Sequence, residues 1–209
     1  IQIFETLERD QPSVLSFADD LANAYRELAR CESLARRTDA TLNALRTAIE
    51  IWDRLVTRAP GNSMWESNFA QALHYLGETT WQQGGSDSAL LHYDRSVELL
   101  DAILRREPQS HNANAFIPSV LLDRGKLLAS MGRFDEAVTD CDRAVQLAPE
   151  DRLDFFRVDR GLVIALTGEY ARAVSEVRES LEHLTARCDP RRLRAHNVVG
   201  ARACAHAAA

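Results

Sequence analysis

Six histidines (His74, His92, His111, His183, His196 and His206) and four cysteines (Cys31, Cys141, Cys188 and Cys204) are the side chains in this 209-residue sequence best suited to hold a metal or act as nucleophiles. A zinc site needs ligands that converge, which a sequence shows as H-E-x-x-H or paired C-x-x-C spacings. Neither spacing occurs here. Serine, histidine and aspartate are all present, but no nucleophile elbow and no glycine-rich phosphate loop brings them into a reactive arrangement. The expectation is a chain without metal, cofactor or catalytic residues, in which histidines and cysteines are structural or lie on the surface. Four scattered cysteines without disulfide-framework density fit a reducing, cytoplasmic compartment.

The charged residues argue in the same direction. There are 25 basic and 31 acidic side chains, a net charge of -6, and Lys126 is the single lysine among the basic ones. Nucleic acid is not the expected partner, because affinity for phosphate comes from clustered positive charge. So arginine-rich a composition points to a high-GC bacterial genome. No apolar run is long enough to span a membrane, and the opening IQIFETLERDQP lacks the basic start and apolar centre of a signal peptide. It also lacks a starting methionine, so the chain reads as a fragment of a longer protein.

The elements that must position these side chains are helices. Glycine (9) and proline (6) are scarce and aromatics make up 7%, a balance that favours an all-α fold. The stretch LLDRGKLLASMGRFDEAVTDCDRAVQLAP, residues 121–149, sets the pattern. Leu121, Arg124, Gly125 and Leu128 share one helical face, and a turn at Met131-Gly132 follows. A second helix then buries Ala137, Cys141, Ala144, Val145 and Leu147 until Pro149 ends it. Gly125 and Ala137 are small enough to let the two helices approach closely.

The pattern repeats. Pro12, Pro60 and Pro108 stand 48 residues apart, and the segments before them align without a gap: Ile1, Ile49 and Val97; Ile3, Ile51 and Leu99; Phe4, Trp52 and Leu100; Leu7, Leu55 and Ile103. This register places long second helices at about Asp39–Thr57 and Asp87–Arg105, and makes the third, stopped by Pro149, shorter by about two turns. A further unit follows at a period of 36, where Asp123-Arg124-Gly125 returns as Asp159-Arg160-Gly161 and Gly132 as Gly168. Its second helix should run from about Tyr170 to Ala186. Pro118 falls inside a first helix and should kink it, or break it after Phe116. The domain reading is a single array: 1–11 the end of a preceding repeat, then repeats at 12–60, 61–108, 109–149 and 150–190, with a closing helix at 191–209.

Nearly the whole chain resembles tetratricopeptide repeats, most clearly in GKLLASMGRFDEAVTDCDRAVQLAP and RGLVIALTGEYARAVSEVRES. The first unit departs most, with Ala29 where glycine is usual and Arg36-Arg37 in place of a glycine turn. The long-helix form resembles the arrays that follow the kinase domain in some bacterial serine/threonine kinases, although no kinase motif is present. The resemblance implies a right-handed α-α superhelix, a solenoid of antiparallel helical hairpins, and a non-enzymatic scaffold that binds a protein or peptide on its concave face. Mapped onto this sequence, that face would hold Asn23, Arg26 and Arg30, then Gln71, His74, Glu78 and Trp81, then Leu122, Lys126 and Ala129. Arg124 and Arg160 stand where the family more often has an apolar residue. The register sets Asp140 against Arg124 and Glu176 against Arg160, which predicts two structural ion pairs across hairpins. The alternative reading is a self-association module, a homodimer formed through exposed solenoid ends such as Ile1, Ile3, Phe4 and Leu7.

Overall fold

The computed structural model describes residues 1–11 and 13–187, so the expected closing helix at 191–209 lies outside the described residues. Those residues fold into helices joined by short turns, with no strand among them: α1 (Gln2–Asp10), α2 (Leu15–Leu34), α3 (Thr38–Arg58), α4 (Ser63–Gln82), α5 (Ser86–Arg106), α6 (His111–Ser130), α7 (Phe134–Leu147), α8 (Leu153–Leu166) and α9 (Tyr170–Arg187). The second helices match their expected spans within a residue or so, and α7 has 14 residues where α3 and α5 have 21. The chain divides into two compact units, one of Ile1–Phe116 and one from Ile117 onward.

In the first unit α2 packs on α3 and α4 on α5, while α3 meets α4 and α2 meets α4. Its core is built from the residues that the 48-residue register aligned: Ile51, Trp52 and Leu55 of α3 are buried with Ala18, Leu21 and Ala22 of α2 and with Phe69 and Leu73 of α4. Trp52 is fully buried and donates its Nε1–H to Asp19 Oδ1 at 2.8 Å, which satisfies the one polar atom of the indole. Near the start of α4, the buried Glu66 accepts from Gly61 N–H (3.1 Å) and from Arg106 of α5 (2.5 Å). At α1 the alignment gives a different result: Ile3 is 75% exposed although Ile51, its counterpart, is 4% exposed.

In the second unit α7 packs on α8 and α8 on α9. On α7 the buried stripe is Ala137, Asp140, Cys141 and Ala144. Leu147, expected on that stripe, is 36% exposed, because the helix ends there and leaves no following turn to cover it. Helix α6 runs unbroken from His111 to Ser130 with Pro118 inside it. The expected break after Phe116 is therefore absent, and the proline, which has no N–H, withholds one hydrogen bond from the preceding turn.

The turn between the helices of each hairpin repeats one conformation. Gly84, Gly132 and Gly168 have φ of +85°, +77° and +91°, a region glycine enters without cost. The equivalent position in the first hairpin is Arg36, at φ +57°, the one non-glycine residue with positive φ among those described. The turn geometry is thus kept even where the sequence lacks glycine, and Arg36 carries the strain of the left-handed region. Replacing Arg36 by glycine should raise stability by about 1 kcal/mol, read as a higher midpoint in urea. An unchanged or lower midpoint would contradict a strained Arg36.

Candidate functional site

The residues expected to face a partner fall into two groups, one in each unit. On α2 and α4 of the first unit, Asn23, Arg26, Gln71, His74 and Trp81 are half-buried, and Arg30 and Glu78 are exposed. Several of these side chains are committed to neighbours. Asn23 Nδ2 donates to its own helix at Asp19 O (2.9 Å). Arg26 Nη1 donates across to α4, to Gln71 Oε1 (2.5 Å) and Asn68 Oδ1 (3.3 Å), with its guanidinium 5.6 Å from the centre of the Trp52 ring. His74 lies against Tyr75 and Tyr93, with ring centres 5.6 and 5.7 Å away. Arg26, Gln71 and His74 therefore tie α2, α3, α4 and α5 together, whatever else they contact.

Arg30 and Glu78 are more available. They border a cavity of about 170 Å³ between α2 and α4, whose lining also includes Ala29, Leu34, Thr41, Leu45 and Tyr75. Its origin is a difference in side-chain size. In the second hairpin the fully buried Tyr93 ring lies against Gly77, where an added Cβ would stand only 3.0 Å from the ring. In the first hairpin the residues at the same places are Ala29 and Leu45, both buried. Leucine is smaller than tyrosine, and Ala29 carries a methyl group where the second hairpin has glycine. The void between α2 and α4 is what remains. Leu34, Leu45 and Tyr75 were not among the sequence-based site residues. The signal that could have found them was the Leu45, Tyr93, Cys141 series in the register.

In the second unit, Leu122 and Ala129 of α6 are buried, at 6% and 4% exposure, so neither presents a side chain to a partner. Lys126 donates to Asp159 Oδ2 on α8 (2.8 Å) and to Asp123 Oδ1 (3.4 Å). Burial alone would lower the Lys126 ammonium, but the Asp159 and Asp123 carboxylates outweigh it and hold the group above its ordinary value. The only lysine of the sequence thus joins two hairpins.

Arg124 forks onto Asp140, Nε to Oδ2 at 2.7 Å and Nη2 to Oδ1 at 2.8 Å. Arg160 reaches Glu176 of α9 from Nη2 at 2.6 Å and Asp142 of α7 from Nη1 at 3.0 Å, which links three helices. All except Asp142 are at least four-fifths shielded from solvent. Beside Asp140, burial pushes the Cys141 thiol up to about 12, which makes it inert at neutral pH. No group of histidine, cysteine and carboxylate side chains able to hold a metal occurs among the described residues, and His196, His206, Cys188 and Cys204 lie outside them. None of the described helices is long and apolar enough to cross a membrane.

A shielded fork of this kind costs most when one half is removed, because the other half stays behind without a partner. Asp140→Ala should therefore destabilise the chain by about 2–3 kcal/mol, and the double change Arg124→Leu with Asp140→Leu by clearly less. Equal losses in urea unfolding for the single and double variants would show that the pair carries no such coupling.

Comparison with known proteins agrees with this geometry. The tetratricopeptide repeat model matches residues 118–151, which run from Pro118 within α6 through α7 to the turn before α8. The chain is 30% identical over 86 residues to the Hsp70-Hsp90 organizing protein of Triticum aestivum, an alignment covering 41% of this chain and 12% of that protein. It is 33% identical over 96 residues to Tetratricopeptide repeat protein 13 of Homo sapiens, covering 44% and 10%. The chain thus spans about a tenth of the length of these relatives. Among solved structures, BtubC (BKLC) from P. vanneervenii superimposes with a TM-score of 0.63 at 19% identity, over 90% of this chain and 76% of that one. A putative kinesin light chain with nearly identical TPR-like repeats from Podosopora anserina gives 0.65 at 14%, over 90% and 87%. These likenesses establish the all-α solenoid fold, and the family match places one tetratricopeptide repeat at residues 118–151.

Proposed function

We propose that this chain is a protein-interaction module that takes up a peptide or protein segment along the face formed by α2 and α4. The observation that carries this reading is the cavity between those helices, where exposed Leu34 and Tyr75 and the charged Arg30 and Glu78 surround one opening. A groove with apolar walls and a few polar groups at its edge suits a chain segment better than a reaction centre, which would need convergent titratable groups. The comparisons support the same direction at the level of repeat type. The reading extends to a regulatory region within a larger bacterial polypeptide. In its support, the composition has one lysine among 25 basic residues, and the chain matches only a tenth of its longer relatives.

A second reading, self-association, draws on α1, where Ile1 and Ile3 are 40% and 75% exposed on a short helix with no buried residue. The two readings separate in one experiment. The native chain and the variant Arg30→Glu with Trp81→Ala are used as bait in bacterial lysate, with circular dichroism to check folding and sedimentation to give the mass. A protein retained by the native chain and lost from the folded variant is the expected result. The same proteins on both baits would remove the α2–α4 face as the site, and a dimeric mass with nothing captured would favour self-association.

A further inference from the structure

The cavity of the first hairpin has a size, a floor and a two-sided rim that together restrict what it can hold. At about 170 Å³ it is smaller than the roughly 300–1,000 Å³ of sites that enclose small-molecule ligands. It has room for one side chain, not for a metabolite. The floor is apolar, made by buried Ala29 and Leu45, and two of the exposed large hydrophobic residues, Leu34 (78%) and Tyr75 (37%), stand on its walls. Apolar side chains left in water around a concavity are the usual setting for an anchor residue of a partner.

The rim is charged in opposite senses on its two sides. On α2 stand Arg26 and Arg30, and both turn to the same carboxylate: Glu27 is 2.8 Å from Arg30 and 4.0 Å from Arg26. The hydrogen bonds of Arg26 go instead, both from Nη1, to the neutral Asn68 and Gln71, which leave its charge in place. The α2 side therefore carries two cations for one anion. On α4 stands Glu78, exposed, accepting a hydrogen bond from the Gln82 amide at 3.4 Å. At the equivalent places in the hairpins that follow, the Tyr93 ring stands against Gly77 in the second and Cys141 lies directly against Gly125 in the third.

We propose that this cavity receives one aliphatic side chain of an extended partner peptide, with an acidic residue of that peptide on the α2 side of the anchor and a basic residue on the α4 side. The assignment rests on the protein-interaction reading and gives its partner a chemistry and a direction. The aliphatic group covers Leu34, Leu45 and Tyr75, the acidic group meets Arg30 and the uncompensated field of Arg26, and the basic group meets Glu78. Because the two rim charges differ in sign, a peptide lying in the same chain direction with its charges in the reverse order places like charges together on both sides.

A random dodecapeptide library displayed on phage tests this against four folded baits: the native chain, Ser33→Phe, the charge swap Arg30→Glu with Glu78→Arg, and Arg95→Glu as a control outside the cavity. Ser33 is exposed on the cavity wall, so phenylalanine there plugs the opening without entering the core. Peptides enriched on the native chain should share an acidic–aliphatic–basic order, bind the Arg95→Glu chain equally, and lose about tenfold or more in affinity on Ser33→Phe. The charge swap should enrich the opposite order. Enriched peptides without this order, or peptides that bind Ser33→Phe as well as the native chain, would overturn the assignment, as would a charge swap that selects the same order. If no peptide is enriched while a lysate protein is still captured in a Trp81-dependent way, the cavity assignment falls and the interaction reading stands. If neither peptide nor protein binds, both fall.

Discussion

Each hairpin depends on one close approach, between a small residue on its first helix and the side chain 16 residues later on its second. Gly77 meets Tyr93, Gly125 meets Cys141 and Gly161 meets Val177, where an added Cβ would stand 3.0, 2.6 and 2.4 Å from the facing side chain. Ala29 and Leu45 take the same places in the first hairpin. The second members of these pairs are 0–6% exposed, so the contact lies at the core of every hairpin. Close packing of this kind tolerates neither a gap nor an extra methyl, and each pair must therefore be matched in size. In the first hairpin the pair is a methyl and a leucine, and both residues line the cavity between α2 and α4.

The charges follow from the same approach. Residues 124 and 160 each precede the glycine of their hairpin, and the residues that face them, 140 and 176, precede Cys141 and Val177. An arginine at such a place is brought against the facing helix and needs an acid there, which both hairpins supply. Lys126, one residue beyond Gly125, is carried to the other side and meets α8 through Asp159. Arg26 plays a comparable part in the first unit, stacked on Trp52 and bonded to α4. Much of the polar surface expected to grip a partner thus holds the helices together. The residues left over, Arg30 and Glu78 with the apolar side chains beside them, are few and close together, which is why the reading of function concentrates on them.

How much of this could be read from the sequence depended on whether the register carried it. The helix spans, the short α7 and the burial of Trp52 follow from aligned apolar positions, and so does the opposition of 124 to 140 and 160 to 176. Details that depend on side-chain size or on competition between neighbours did not follow. Nothing in the spacing of Arg26 shows that Gln71 and Asn68 would take its donors, or that Lys126 would fall between two aspartates. Arg36 was noticed as a missing glycine, but its backbone follows the glycine hairpins nonetheless, because the helices on either side fix the turn. Pro118, expected to kink its helix or break it after Phe116, sits inside a continuous α6, since one lost hydrogen bond does not outweigh the packing along the helix. The cavity was hidden because leucine, tyrosine and cysteine all register as apolar at one position, and only their volumes differ.

The matched contact at 16 residues is the claim on which the rest is built, and a size-exchange cycle measures it directly. Ala29→Gly, Leu45→Tyr and the double variant, which copies the Gly77–Tyr93 contact into the first hairpin, are compared with the native chain by urea unfolding. Leu45→Tyr alone should be destabilised by the clash with the Ala29 methyl, and removal of that methyl in the double variant should restore stability, with a coupling of about 1 kcal/mol or more. Additive losses, with no recovery in the double variant, would show that these two positions do not pack as a pair and would contradict the account.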